Sequence, residues 1–261
     1  MNILFIGDIF SAPGRLMVSE TLPKLYDKYD LNFVIANGEN CAGGFGLNKK
    51  SLEELSQLGV DCFTLGNHTW SNGDIVGILE GGDKRVVRPL NLAPGTPGAG
   101  YRFYSVGQQT VCVINLLGRT YMEPAENPFV MVNCLIKELE GQADYIIVDF
   151  HAEATSEKMA MGYFLDGRAG AVLGTHTHVQ TNDARVLPRG TAYMTDVGMT
   201  GPRESILGVE KDIIIKRFLT GRPERFEPAR GDLQFNGVII SFDNPLRVRY
   251  IEALNLVKLS L

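Results

Sequence analysis

NILFIGDIFSAPGRLMVSETLPKLYDKYDLNFVIANGEN (2–40) contains a complete strand–helix–strand unit. Asn2–Ile6 is a short apolar run of strand length, and Gly7 lets the chain turn sharply out of it. Ser11 followed by Pro13 opens a helix through about Tyr29, with Ser11 or Ala12 near the cap and Pro13 in the first turn. Phe33–Ala36 is a second strand. Asn48 then caps a short helix, KKSLEELSQL (49–58), which Gly59 ends in a left-handed conformation. Asp61–Leu65 is a third strand. This β-α-β-α-β order is that of a parallel sheet with helices packed on it.

Farther along, the pattern changes. Tyr101–Val106 and Thr110–Leu116, joined by Gly107-Gln108-Gln109, read as a hairpin. A helix around Pro128–Glu140, a strand Tyr145–Phe150, a helix Ser156–Leu165 and a strand Ala171–Leu173 follow. Ala184–Leu187 and Ala192–Thr195 form a second hairpin around Pro188-Arg189-Gly190. A helix Glu210–Thr220 and strands Gly237–Phe242 and Leu246–Ala253 close the chain. Early βαβ units with later antiparallel strands imply an α/β fold of two packed mixed β-sheets flanked by helices. With no linker, repeat or low-complexity block in 1–261, one domain is expected.

Composition narrows the function. With 44 % hydrophobic and 21 % charged residues, the chain is an ordinary globular one. The net charge of −5, with scattered Lys and Arg, argues against a long nucleic acid as partner. No apolar run reaches membrane-spanning length, and MNILFIGDIF does not have the form of a signal peptide, so a cytoplasmic location without membrane contact is expected. Cys41, Cys62, Cys112 and Cys134 form no C-x-x-C pair and read as buried free thiols in a reducing compartment.

The chemistry sits at the strand ends. The four histidines, His68, His151, His176 and His178, each follow an apolar strand, in GNH (66–68), HAE (151–153) and GTHTH (174–178). One such histidine is more often structural than functional; four together point to the crevice beyond the strand carboxyl ends, where α/β sheets bind ligands. Asp8 and Glu39 share that placement, each after a glycine, and Asn40 and Asn67 add amide oxygens. Imidazole, carboxylate and amide suit Fe, Mn, Zn, Co or Ni. In an extended segment His176 and His178 would point the same way, toward one metal centre.

The ordered series GD (7–8), GEN (38–40), GNH (66–68), His151 and GTHTH (174–178) resembles the calcineurin-like metallophosphoesterase superfamily. GENCAGGFG (38–46), HAEATSEK (151–158) and DVGMTGP (196–202) narrow the resemblance to the YmdB-like bacterial branch, to which phosphodiesterase activity on cyclic nucleotides is assigned. The resemblance implies a single four-layer α/β sandwich, with its metal site at the C-terminal ends of the strands. It implies two metal ions per chain, Fe or Mn foremost. Asp8, Glu39, Asn40 and His178 would hold the first, and Glu39 would bridge to a second held by Asn67, His151 and His176. His68 would stay free as general acid. Two positions depart from the superfamily pattern: Phe10 stands where a ligating histidine is usual, with Asn40 its replacement, and Glu39 stands for an aspartate.

Two cations roughly 3.5–4 Å apart would acidify a bridging water, and the resulting hydroxide would attack phosphorus in line. An imidazole, titrating near neutrality, suits protonation of the leaving alkoxide. The expected substrate is a 2',3'- or 3',5'-cyclic nucleotide or another small phosphodiester. The alternatives are a phosphomonoesterase on the same site and a regulatory metal-binding protein with little catalysis. A homo-oligomer is compatible with the sequence. CAGGFG (41–46) is expected to shape the pocket. Cys41 reads as structural, Trp70 as core or as a base-stacking ring, and Arg119 and Arg203 as surface groups within reach of phosphate roles.

Overall fold

The structure of the chain, a computed structural model, describes residues 1–245 and 247–259. In chain order, the first half holds β1 (Asn2–Ile6), β2 (Asp8–Ile9), α1 (Ser11–Tyr29), β3 (Phe33–Asn37), α2 (Lys49–Gln57), β4 (Cys62–Thr64), α3 (Asp74–Glu80), β5 (Val86–Val87), β6 (Tyr101–Val106) and β7 (Gln109–Leu117). The second half holds α4 (Pro128–Glu138), β8 (Tyr145–His151), α5 (Thr155–Leu165), β9 (Ala171–Thr175), β10 (Arg185–Val186), β11 (Ala192–Met194), β12 (Met199–Pro202), α6 (Lys211–Thr220), β13 (Leu233–Asn244) and β14 (Arg247–Lys258).

Two mixed sheets result. The first has eight strands in the order β2-β12-β13-β1-β3-β4-β5, with β14 on the other side of β13. Within it β1, β3, β4 and β5 run parallel, Ile3 pairing with Phe33 and Ile35 with Cys62, while β13 lies antiparallel to β1. The second has six strands in the order β10-β11-β9-β8-β7-β6, parallel through its centre and antiparallel at both edges.

Strand periodicity assigns each side chain to a layer. In β1, Ile3 and Phe5 enter the core between the sheets, while Leu4 and Ile6 meet Val18 and Leu22 of α1 and Leu52 and Leu55 of α2. In β7, Val111 and Val113 join the inter-sheet core, while Cys112 and Ile114 pack with Val132 of α4 and Met161 of α5. Helix, sheet, sheet and helix therefore stack as four layers. Strands covered on both faces read as continuous apolar runs rather than alternating ones. A smaller fourth core joins Phe10, Met199, Val209 and Ile214, and places α6 at the rim of the strand ends rather than on an outer face.

Several details differ from the sequence reading. β2, β5 and β12 are too short to carry a periodic signal, and β12 (MTGP) contains both Gly and Pro. α3 is short and glycine-interrupted. α1 starts from Phe10, which offers no side-chain cap, whereas Asn48 caps α2 by accepting from the Ser51 backbone N–H at 2.8 Å. β13 begins earlier than expected, at Leu233. The expected start of the last strand at Leu246 lies outside the described residues, as do residues 260 and 261. Cys134 is exposed, because α4 is apolar around much of its girth and this position faces solvent. Among the described residues, no helix is long and apolar enough to cross a membrane.

Candidate metal centre

The ends of five parallel strands meet along one edge of the two sheets. Asp8 follows β1, Glu39 and Asn40 follow β3, Asn67 and His68 follow β4, His151 ends β8, and His176 and His178 follow β9. Gly66 lets them approach, since a Cβ there would collide with the Glu39 carboxylate and the His151 ring.

The donors form two adjoining groups. His151 Nε2 lies 2.9 Å from Glu39 Oε1, 3.0 Å from Asn67 Oδ1 and 3.1 Å from His176 Nδ1. Glu39, His151 and His176 thus offer three ligand atoms within 4.8 Å of one another. In the second group, His178 Nε2 lies 3.7 Å from Asp8 Oδ1 and 3.1 Å from Asn40 Nδ2, which is 3.4 Å from Asp8. Half a turn of the Asn40 amide exchanges its nitrogen for an oxygen donor.

Each histidine ring of these groups is held by its other nitrogen. His151 Nδ1 meets Thr175 Oγ1 at 2.9 Å, and that hydroxyl donates to buried Asp149 at 2.7 Å. His176 Nε2 faces Glu153 at 3.2 Å. His178 Nδ1 lies 3.2 Å from the Leu207 carbonyl, which can only accept, so His178 donates there and Nε2 keeps its lone pair. Partners of this kind fix tautomer and orientation in metal sites. Thr175, Glu153 and the Leu207 carbonyl escaped the sequence reading, although Thr175 and Glu153 lie inside the quoted motifs.

The H-T-H segment is bent, not extended. His176 and His178 have φ of 100° and 64°, in the left-handed region. Buried Asp196 clamps the turn, accepting from the Thr177 backbone N–H at 3.1 Å and its hydroxyl at 2.7 Å. Lys158, also buried, donates to Asp196 at 2.6 Å. This ion pair holds a strained backbone in place.

Charge points the same way as the donor geometry. Asp8, Glu39, Asp149 and Asp196 are all at most 1 % exposed. Burial pushes the Asp8 carboxyl up to about 8; His151 opposes this, while Asp196 and Glu39 add to it. Burial also acts against ionised Glu39, but the charge and hydrogen bond of His151 and the His68 backbone N–H hold it at about 2. Burial likewise opposes a charged His151, yet Glu39 and Asp8 lift it to about 9. His176 falls to about 3 through burial and the neighbouring His151. Protons on Asp8 and His151 thus do the neutralising that a cation would do in their place. The donor types, their mutual distances and this charge imbalance fit a metal-binding group.

Phe10 cannot ligate. It fills space instead, its ring edge-on to His178 at 6.1 Å and packed against Gly44 and Gly208. His68 stands outside both donor groups. Its backbone N–H donates to Glu39 Oε2 at 2.9 Å, and its ring sits edge-on to Phe45 at 5.0 Å. It borders a cavity of about 400 Å³ that also touches Glu39, Asn40, His176 and His178. A larger cavity, about 680 Å³, touches Lys137, Arg168 and Arg189 and none of these donors.

CAGGFG contributes Gly44 and Phe45 to the smaller cavity, as expected. Cys41 is buried, and burial pushes its thiol far above the range of a useful thiolate. Trp70 is 45 % exposed and borders neither core nor cavity. Arg119 and Arg203 are exposed and also lie off the cavity; the arginine that lines it is Arg217.

The family model described as YmdB-like protein matches residues 4–254. The chain is 51 % identical over 244 residues to the 2',3'-cyclic-nucleotide 2'-phosphodiesterase of Bacillus subtilis (strain 168), covering 94 % of this chain and 92 % of that one. A hypothetical protein from Thermus thermophilus has a similar crystal structure, with TM-score 0.93 and 46 % identity over 99 % of this chain and 100 % of that one. A novel phosphatase from Mycoplasma pneumoniae superposes with TM-score 0.93 and 37 % identity, over 99 % and 94 % of the two chains.

Proposed function

The chain belongs to the YmdB-like family, and we propose that it hydrolyses 2',3'-cyclic nucleotides with two metal ions held at the strand ends. The observation that carries this reading is the pair of adjoining donor groups, one around Glu39 and His151 and one around Asp8 and His178, with the His68 imidazole beside them. Similarity over nearly the whole length to the Bacillus subtilis enzyme supports the substrate class.

In this reading Asp8, Glu39, Asn40 and His178 hold one metal, and Glu39, Asn67, His151 and His176 hold the other. When bound, the pair would supply a nucleophilic water at neutral pH and neutralise the phosphate oxygens. The chain's own residues do the rest. Thr175, Glu153 and the Leu207 carbonyl keep the three ligating rings turned inward. His68 protonates the departing oxygen, which as a ribose alkoxide leaves poorly without a proton. Opening of the bond at the 2' oxygen, the one in the Bacillus subtilis enzyme's name, leaves a free 2'-hydroxyl and a 3'-phosphate. The nitrogen and oxygen donors suit Fe, Mn, Zn, Co or Ni, and the family resemblance puts Fe or Mn foremost. Residues 1–261 act as one metallophosphoesterase domain, and the free cysteines fit a cytoplasmic location.

A panel of adenosine 2',3'-cyclic phosphate, adenosine 3',5'-cyclic phosphate and p-nitrophenyl phosphate, with each metal restored in turn, tests the reading. The expected leading substrate is the 2',3'-cyclic diester, yielding the 3'-monophosphate. Faster turnover of the monoester would instead make this a phosphomonoesterase, and no turnover with any metal would favour a regulatory metal-binding role.

A further inference from the structure

The cavity of about 400 Å³ over the metal centre has two unlike walls. One is the polar group of Glu39, Asn40, His176 and His178. The other is apolar and comes from chain segments far apart in sequence: Phe45 in the glycine loop after β3, Leu207 in the loop after β12, Phe218 on α6, and Phe226 beyond α6. The rings of Phe45 and Phe226 are nearly parallel, at 20°, with centroids 6.3 Å apart. Phe218 is 82 % exposed at the rim. So much aromatic surface left in water at the mouth of a cavity is area that a flat ligand would cover.

We infer that this wall is a nucleobase subsite, in which the base of a nucleotide stacks on Phe45, Phe218 and Phe226 while its phosphate lies at the metal centre. The inference rests on the phosphodiesterase reading above. Its volume lies in the range of small-molecule sites. The aromatic surface begins beside His68, whose ring touches Phe45, so one small ligand spans both walls. Arg217 adds a cation over the Phe226 face, with its guanidinium carbon 5.2 Å from the ring centroid. Such a cation suits an electron-rich heterocycle better than an alkyl chain.

The same wall sets the kind of selectivity. Outside the metal centre and His68, Arg217 is the one polar side chain of the described lining, and its guanidinium lies over the Phe226 face, where it supports stacking. Every base has a face to stack, so recognition by stacking is tolerant of base identity. The subsite therefore selects nucleotides over base-free phosphodiesters and accepts all four bases, purines somewhat better through their larger area.

Phe226 packs in the small core around Phe10, so Phe45→Ala, Phe218→Ala and their double variant are the better probes. The readout is the ratio of kcat/KM for adenosine 2',3'-cyclic phosphate to that for methyl riboside 2',3'-cyclic phosphate, which has the same reacting ring and no base. Loss of stacking is expected to lower this ratio about tenfold in the double variant, mainly through KM for the nucleotide. An unchanged ratio in a double variant of wild-type metal content and melting temperature would overturn the inference. So would a wild-type preference for one base by more than about a hundredfold. A wild-type chain that hydrolyses neither substrate would overturn the phosphodiesterase reading and this inference with it, a result distinct from hydrolysis of both with an unchanged ratio.

Discussion

His151 Nε2 lies 2.9–3.1 Å from Glu39, Asn67 and His176, whereas the spacings among Asp8, Asn40 and His178 are 3.1–3.7 Å. The first group is fixed from behind by side chains, through Thr175 to Asp149 and through Glu153. The second has one main-chain carbonyl behind its histidine, and the phenyl ring of Phe10 where the superfamily pattern has another ligand. A preorganised donor set loses less entropy and reorganises less on binding. The two halves of one centre should therefore differ in metal affinity, the His151 half holding its ion more tightly.

His68 belongs to neither half, and its removal should have the largest effect. His68→Ala keeps the backbone N–H that donates to Glu39, so metal content should stay at the wild-type level. Turnover of substrates with alkoxide leaving groups should fall about 10²- to 10⁴-fold. Substrates with a p-nitrophenolate leaving group should lose much less, since that group departs without a proton. An equal loss on both would remove His68 from the role of acid.

Thr175→Val should break the comparison from its tight side. It deletes the hydroxyl between His151 and Asp149 at nearly constant volume, and loss of such a partner costs about 10- to 100-fold in metal affinity. Chelator competition followed ion by ion should show that loss in the tighter step alone. Equal weakening of both steps would mean that the halves are not independent.

The smallest effect is one of pH, and it touches both halves. In metal-depleted protein, folding raises Asp8 from 3.8 to about 8 and His151 from 6.5 to about 9. Below 6.5 the lowered His176 and His178 offset Asp8, but from there up to about 9 the folded chain holds more protons than the unfolded one, so stability falls as pH rises. For His151 the contribution is complete below 6.5 and gone above about 9. The melting temperature of the depleted protein should fall between pH 6.5 and about 9, and metal should flatten that slope by replacing the protons. A melting temperature that climbs with pH in the depleted protein would contradict this.

What could be read in the sequence was what short local patterns encode. Asp8, Glu39, Asn40, Asn67, His68, His151, His176 and His178 all stand at strand ends because each follows an apolar run and a turn. The four layers were legible too, because βαβ order and hairpins constrain how sheets pack. The bend of the H-T-H segment was not, since it depends on Asp196 and Lys158, which no local pattern ties to it. Nor was the aromatic wall: Phe45, Leu207, Phe218 and Phe226 look like scattered apolar residues until β12 and α6 bring them to one rim.

Metal content is the most direct test of the double centre. Elemental analysis after reconstitution, repeated during stepwise chelation, should find two ions per chain, then one, with diesterase activity lost as the first ion leaves. A reconstituted chain that never holds more than one ion, yet hydrolyses 2',3'-cyclic nucleotides at its full rate, would contradict the account.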